Sequence, residues 1–281
     1  MREMVYLILA VMSSVLVSVT MRASEKHVSN SISMLAANYL MCTGMACMYA
    51  GMRDPFPQAE GLAFSVMLSI VSGMFYLGSF MLLQWNTAVN GVVLSSMFMR
   101  LGVMVPTLVS MVFFREVPHG AQIAGMLAAV AAVLLINLER GSKKPVSSTG
   151  LVLLLVIGGG TDAMVKIFEE LGNPSLKNHF LMYTFFVAFV LCVILCVLKK
   201  QGLTLPDLGF GLVIGVPNYF SARFLMLSIS SVPAIVAYPT YSVATIVCVA
   251  LIGRIFFQES LNRRQKLAML IILAALVLLN T

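Results

Sequence analysis

Long apolar runs are the feature that most constrains how this chain can fold. Of the 281 residues, 60% are apolar and only 10% are charged, the mean hydropathy is +0.97, and the charges are gathered between the runs. A soluble domain of this length carries about a quarter of its residues as charged side chains. Most of the surface must therefore face lipid rather than water.

Ten of the runs have the length that a membrane crossing needs. A helix requires about 20 mostly apolar residues to span the hydrocarbon core. The connections are short, with turns predicted at 84–87 and 171–174, so no soluble domain is inserted. The sequence predicts an all-α integral membrane protein with ten transmembrane helices, at residues 4–20, 31–51, 61–83, 89–114, 122–138, 150–168, 180–198, 208–229, 232–257 and 267–279.

The chain also carries the signs of an internal duplication. A polar segment at 139–148 divides the runs five and five, and residues 113–137 align with 256–280 at a constant offset of 143. Matches of Leu and Ala carry little weight between apolar helices, but polar and aromatic matches do. We predict one five-helix repeat at 1–138, a linker at 139–148 and a second repeat at 149–281. The informative pairs are Phe113/Phe256, Phe114/Phe257, Glu116/Glu259 and Gln122/Gln265.

A five-helix repeat crosses the membrane an odd number of times, so its second copy must enter from the opposite side. The two repeats are therefore predicted to have inverted topology. Many secondary transporters have this architecture and bind their substrate near the bilayer midplane, at the interface of the repeats. The alternative is that the duplication only built a stable bundle.

Two patches carry a resemblance to a known family. Residues 113–125 (FFREVPHGAQIAG) resemble the Gly-Glu, turn, Gln, Gly and Ala/Leu-rich helix signature of the EamA-type drug/metabolite transporter superfamily, and residues 257–265 (FQESLNRRQ) repeat it. Arg115 and Gln258 depart from the pattern, since a Gly usually precedes the Glu. The Pro usual earlier in the fourth and ninth helices is also displaced, if its counterparts are Pro106 and Pro239.

The resemblance implies a ten-helix carrier of small organic solutes, commonly an exporter of amino acids or related metabolites. Its central cavity would be lined by helices 1, 3, 4, 6, 8 and 9. Glu116 and Glu259 each lie at a helix end before a tight turn. We predict a structural role for both, because a carboxylate there can accept hydrogen bonds from the N-terminus of the next helix.

Three ionisable residues lie deep in apolar segments and are the first candidates for substrate binding. Arg100 lies near the middle of the fourth helix, and Asp162 and Lys166 share one face of the sixth. A charge at midplane costs at least about 2.5 kcal/mol and faces a cavity or a partner. Either Asp162 and Lys166 neutralise each other while Arg100 fixes packing, or Arg100 binds a substrate carboxylate or phosphate and Asp162 holds a proton or an amine.

Further candidates are less specific. The glycines at 158–160 either open the sixth helix or allow a close helix crossing. Tyr76 and Ser79 occupy the third-helix positions that match Phe220 and Arg223 at an offset of 144. Aromatic and polar groups together suit a small amphipathic ligand, although Tyr and Arg near helix ends are also ordinary interfacial anchors. The eighth and ninth helices contribute Asn218, Tyr219, Arg223, Tyr238 and Tyr241.

Other chemistry finds little support. The five cysteines lie in apolar runs and the three histidines near helix ends, without the spacing of a metal site. No catalytic triad or phosphate loop is visible, so we predict neither an enzyme nor a bound cofactor. The net charge of +7 reflects membrane topology rather than nucleic-acid binding.

The basic residues also bear on orientation. They are concentrated in the connections after helices 1, 3, 5, 7 and 9, so the positive-inside rule places both termini outside the cytoplasm. Ten-helix members of the resembled superfamily usually keep both termini inside. The basic residues on the richer side are Arg22, Lys26, Arg140, Lys143, Lys144, Lys199, Lys200, Arg263, Arg264 and Lys266.

The apolar runs predict a multi-pass protein of the plasma (inner) membrane, and the resemblance implies that it exports an amino acid or a related anionic or zwitterionic solute by alternating access. A coupling proton and a homodimer are left open. The alternatives are a channel-like or structural bundle and, with less support, a membrane-embedded enzyme.

Overall fold

The protein is all-helical throughout the part of the chain that the structure describes, which is a computed structural model of residues 2–50, 54–90, 92–137, 147–256 and 263–279. Every predicted apolar run overlaps a helix. A short 3-10 turn, Pro174–Leu176, precedes the eighth helix. The helices are α1 (Arg2–Ser24), α2 (Ser31–Ala50), α3 (Leu62–Asn90), α4 (Val92–Leu101), α5 (Met104–Phe113), α6 (Gly120–Asn137), α7 (Ser148–Leu171), α8 (Lys177–Leu198), α9 (Leu205–Ile229), α10 (Ala234–Phe256) and α11 (Arg263–Leu279).

Seven helices in the described ranges are long and apolar enough to cross a membrane. They are α1, α2, α3, α7, α8, α9 and α10. Two shorter apolar helical stretches lie at Phe98–Phe113 and Gly120–Ala132. The protein is therefore a helical membrane protein.

The helices form two compact units that do not follow the two halves of the sequence. Unit 1 consists of Met1–Leu77 and Ile167–Ser230, and unit 2 of Gly78–Lys166 and Ser231–Thr281. Each unit thus takes helices from both predicted repeats. The repeat boundaries themselves stay a prediction.

Unit 1 is built on the packing of α1 and α2 against α9, and of α2 against α8. Asp207 fixes the start of α9. Its carboxylate accepts hydrogen bonds from the backbone amides of Ser29 at 2.8 Å and Asn30 at 3.3 Å. It also accepts the amide of Thr204 at 3.1 Å, and the Thr204 hydroxyl in turn accepts the amide of Asp207. This capping box is fully buried at Asp207 and joins the beginning of α9 to the turn before α2.

Unit 2 has its apolar core where α6, α10 and α11 meet, around Ala132, Val243 and Ala275. The start of α7 is held by α3. The side-chain amide of Asn86 donates to the Gly150 carbonyl at 2.9 Å.

The turn predicted at 84–87 is wrong, because α3 continues through it to Asn90. Within that segment the Asn86 side chain bonds to the start of α7, and Asn90 does the same at the end of α3. Asn90 donates to the Ser147 carbonyl and accepts the Ser147 amide at 2.9 Å, and Asn86 is fully buried. Polar residues in an apolar helix are tolerated when they satisfy an exposed helix end in this way.

The fourth predicted helix, 89–114, is not continuous, because α4 ends at Leu101 and α5 begins at Met104. Pro106 accounts for the break. Proline has no amide hydrogen for the carbonyl four residues earlier, and its ring clashes with that carbonyl. Here that carbonyl belongs to Gly102, one of the two residues between α4 and α5.

The break packs closely against α7. The Gly102 carbonyl accepts the amide of Val105 at 2.9 Å, and a Cβ on Gly159 would stand only 2.0 Å from the Gly102 oxygen. Glycine is therefore required at position 159. α7 itself is a continuous helix through residues 158–160, so these glycines serve a close crossing and do not open their own helix.

Candidate solute-binding residues in the two units

Lys166 and Glu116 form an ion pair inside unit 2. The Lys166 ammonium donates to a Glu116 carboxylate oxygen at 2.7 Å, and the lysine side chain is only 2% exposed. The ammonium also lies 5.6 Å from the centre of the Phe114 ring. A charge this deep in an apolar helix is stabilised only by a direct partner.

The same carboxylate caps α10. Its two oxygens accept the backbone amides of Ala234 at 3.3 Å and Ile235 at 3.1 Å, which are the first residues of that helix. The expected partner was the following helix, α6. That helix has its own cap, since the Gln122 side chain accepts the amide of His119 at 3.0 Å. Glu116 is thereby available to join α7 and α10.

Arg115 lies in the left-handed region of backbone space, with a φ of 54°. Glycine adopts this conformation without a steric penalty and arginine does not. A Gly at this position, as is usual in the resembled family, would adopt the same conformation without that penalty. Glu116 follows at once, and its amide donates to the Ser110 carbonyl at 3.2 Å, so the left-handed residue is what turns the chain after α5.

Asp162 does not pair with Lys166. Its carboxylate makes no hydrogen bond or ion pair with any residue that the structure describes, and the side chain is half-buried. Its backbone carbonyl accepts the hydroxyl of Tyr238 at 2.8 Å, which joins α7 to α10. The Asp162–Lys166 neutralisation considered from the sequence is thus replaced by Lys166–Glu116, because Glu116 offers the lysine a carboxylate already held by two amides.

Arg100 lies in the last turn of α4, directly before the break. Its side chain is exposed and has no hydrogen-bonding or ionic partner in the described ranges. A cation there complements the negative end of the helix dipole that the break creates. It also borders a crevice with Met126 and Pro239, whose volume of about 10 Å³ is room for about one water and not for a metabolite.

Arg223 in unit 1 is held by three neighbours. Its guanidinium donates to the side-chain oxygen of Asn178 at 2.5 Å and to the hydroxyl of Tyr219 at 3.0 Å, and it stacks 4.0 Å above the ring of Tyr49. The Asn178 amide in turn donates to the Tyr49 carbonyl at 3.1 Å. These contacts hold Arg223 in one position, and none of the described residues supplies it with an acidic partner.

Asn218 belongs to a buried polar group in the same unit. Its side-chain amide donates to the Asn38 oxygen at 3.2 Å, and the Cys42 thiol donates to the Gly215 carbonyl at 3.3 Å. Tyr76 lies nearby in an aromatic cluster, with its ring centroid 5.9 Å from that of Tyr39. Both groups occupy the interior of unit 1, where α2 packs against its neighbours.

The predicted residues therefore separate into two sets. Tyr76, Asn218, Tyr219 and Arg223 belong to unit 1. Glu259 lies outside the described residues. In unit 2, Ser79 is buried and Tyr241 is half-buried. The predicted residues that belong to unit 2 are Ser79, Arg100, Glu116, Asp162, Lys166, Tyr238 and Tyr241.

Several site-forming residues were missed from the sequence. Tyr49 and Asn178, which hold Arg223, lie in segments distant along the chain, so no local pattern pairs them. Pro106 did carry a signal, because a proline removes the hydrogen bond to the carbonyl four residues earlier, which here is that of Gly102. No group of three potential metal ligands occurs among the residues that the structure describes.

Comparison with known proteins agrees with this architecture. Residues 148–281 match the EamA-like transporter family. An uncharacterized protein of Haemophilus influenzae (strain ATCC 51907 / DSM 11121 / KW20 / Rd) is 23% identical over 286 aligned positions, covering 96% of this chain and 95% of that protein. A solved crystal structure shares the fold with a TM-score of 0.73 at 11% identity, over 99% of this chain and 96% of that one.

The resemblance predicted from the two sequence patches is confirmed by the family match. The second patch lies inside the matched residues. The protein is thus a multi-pass helical membrane protein whose residues 148–281 are similar to the EamA-like transporter family.

Proposed function

We propose that this protein exports an amino acid or a related anionic or zwitterionic metabolite by alternating access. The proposed carrier has ten transmembrane helices arranged as two inverted five-helix repeats. In this arrangement α4 and α5 together make the fourth crossing. The family match, the apolar helices and the alignment of residues 113–137 with 256–280 support the proposal.

The observation that carries the substrate class is the pair of uncompensated charges in unit 2. Arg100 and Asp162 both lie in apolar helices, and neither is paired with a residue in the described ranges. Such groups are costly in lipid unless a ligand or water supplies the missing partner. A guanidinium can bind a carboxylate by two parallel hydrogen bonds, and a carboxylate can bind an ammonium group or a proton.

Lys166 has a different role in this proposal. Its ammonium is already neutralised by Glu116, so it contributes to the junction of α7 and α10 and not to substrate binding. Glu116 serves the same junction. The two alternative functions make different demands. A purely structural bundle would not require Arg100 and Asp162 to remain uncompensated. A membrane enzyme would need a cluster of catalytic groups at an interface.

Ligand binding is tested first, by the thermal unfolding of the purified protein with a panel of amino acids and small carboxylates. A ligand that binds the folded state raises the unfolding temperature with its concentration. We expect stabilisation by at least one zwitterion, lost in Arg100→Leu. Arg22→Gln is the matched control, since Arg22 is paired with Glu25 at the exposed end of α1, where both side chains are more than half exposed.

Transport is tested with the stabilising compound in proteoliposomes. Arg100→Leu should abolish flux although the protein still inserts, whereas Arg22→Gln should transport normally. Asp162→Asn should abolish stimulation by a pH gradient if Asp162 carries the coupling proton, and should lower affinity for the amine-bearing compound if it binds substrate. Unchanged flux in both Arg100→Leu and Asp162→Asn would refute the proposed site.

A further inference from the structure

We infer that unit 1 carries a binding groove for an anionic glycerophospholipid, between α2 and α8. This α2–α8 groove has a volume of about 390 Å³. Ala36 and Leu40 line it from α2, and Phe189 and Val193 from α8. Each pair is separated by four residues, so each helix contributes a single stripe to the groove.

The body of the groove has the properties of a site for an acyl chain. Leu40 is 45% exposed and Val193 is 38% exposed, so the groove opens outwards along the helices. From Phe189 to Val197 it follows α8 for about 12 Å, which is most of the roughly 15 Å depth of one leaflet. An acyl chain that lies in the groove would gain dispersion contacts with its apolar walls.

The end of the groove is polar and basic. Lys200 and Gln201 line it just beyond the last residue of α8, Leu198, where a membrane helix meets the headgroups. The Lys200 ammonium can bind a lipid phosphate as a point charge. This arrangement of an apolar stripe ending in a cation matches an anionic lipid and not a neutral metabolite.

Gln201 adds a second polar observation at this end. Its side-chain oxygen is buried and has no hydrogen-bond partner among the described residues. A buried acceptor left unpaired is destabilising, and a hydroxyl donor would satisfy it. The glycerol headgroup of phosphatidylglycerol supplies both the negative phosphate for Lys200 and hydroxyl donors for Gln201.

The backbone at Lys200 makes the proposal testable without unfolding the protein. Lys200 has a φ of 50°, and its amide donates to the Val197 carbonyl at 3.1 Å while the Gln201 amide donates to the Cys196 carbonyl at 2.9 Å. This is a Schellman motif, which favours glycine at the left-handed position. Lys200→Gly should therefore preserve the turn while removing the cation.

The experiment uses the 281-residue chain in neutral detergent with added palmitoyl-oleoyl phosphatidylglycerol or phosphatidylcholine. Native mass spectrometry counts the bound lipids, and thermal unfolding follows their effect. We expect the wild type to prefer phosphatidylglycerol. Lys200→Gln and Lys200→Gly should both lose about tenfold in phosphatidylglycerol affinity, since a hydrogen bond to a charged group has that strength.

Lys199→Gln is the matched control, because Lys199 is the adjacent lysine of the same turn but does not line the groove. It should keep the preference for phosphatidylglycerol. Ala36→Trp fills the groove and should reduce binding of both lipids.

Three results would overturn the inference. Equal losses in Lys199→Gln and Lys200→Gln would indicate diffuse charge attraction instead of a site. Full phosphatidylglycerol binding by Ala36→Trp would place the lipid elsewhere. Dissociation of a dimer by Ala36→Trp, with lipid binding unchanged, would identify the groove as an interface between two copies of the chain. None of these measurements requires transport activity.

Discussion

Gly102 and Gly159 meet backbone to backbone at the break between α4 and α5, with the Gly102 oxygen 2.0 Å from the point where a Cβ of Gly159 would stand. Backbone cannot move aside as a flexible side chain can, so any larger residue at position 159 must separate α7 from the break. The contact therefore holds Arg100, two residues before Gly102, on a fixed helix end.

Gly159→Ala should consequently destabilise the protein by about 1–3 kcal/mol or more, as overpacking of a close contact does. The matched control is Gly44→Ala in α2, where an added Cβ meets no atom within 4 Å. That substitution should gain about 0.5–1 kcal/mol from helix propensity. Reversible unfolding in detergent measures both, and equal stabilities of the two variants would contradict the close crossing.

Glu116→Gln should cost about 3–5 kcal/mol, because it removes the carboxylate that the buried Lys166 ammonium contacts at 2.7 Å. Lys166→Met should cost less, since Glu116 keeps its two hydrogen bonds to the α10 amides. The double variant should recover part of the loss. A coupling energy of about 0.5–3 kcal/mol in a double-mutant cycle is the expected result, and simple additivity would show that the two residues act independently.

Arg115→Gly should stabilise the protein by about 1 kcal/mol, because it removes the steric penalty of a left-handed residue. Arg115→Ala keeps a Cβ at the same φ and should bring no such gain. The free energy of unfolding of the two variants distinguishes backbone relief from loss of the charge. A gain shared by both variants would assign the effect to charge.

A reporter fused after Thr281 should be found outside the cytoplasm. The reason is that most of the basic residues lie in the connections after the first, third, fifth, seventh and ninth of the ten predicted transmembrane helices. The positive-inside rule depends on this count. A reporter active only outside, paired with one active only in the cytoplasm, gives the measurement in both directions. A cytoplasmic C-terminus would favour the orientation usual in the resembled superfamily.

The positions of the helices could be predicted from the sequence because hydropathy is a local property. The residues at which those helices begin, end or break could not be predicted from the sequence. The polar residues at 84–87 have the composition of a turn, and they remain helical because Asn86 and Asn90 bond to the start of α7. Those bonds join residues 57 to 64 positions apart, which no local window detects.

The sequence predicted which residues are candidates for the site, but it did not predict which residues they contact. An acid four residues before a lysine on one helix predicts the Asp162–Lys166 pair, yet Lys166 bonds to Glu116, which is 50 positions distant in the sequence. The competing partner prevails because its carboxylate is already held by two amides. In the same way Arg223, which resembled an interfacial anchor, is held by Asn178 and Tyr49.

Because unit 1 combines helices from both halves of the chain, it cannot be completed until α8 and α9 have been synthesised. α1 and α2 pack against α8 and α9, which come from the other half of the chain. At about 5–20 residues per second, the roughly 150 residues between α2 and α9 take on the order of ten seconds to translate. Until then α1 and α2 lie in the bilayer without the helices that cover them in unit 1, so a nascent chain arrested after its first half leaves their packing surfaces uncovered.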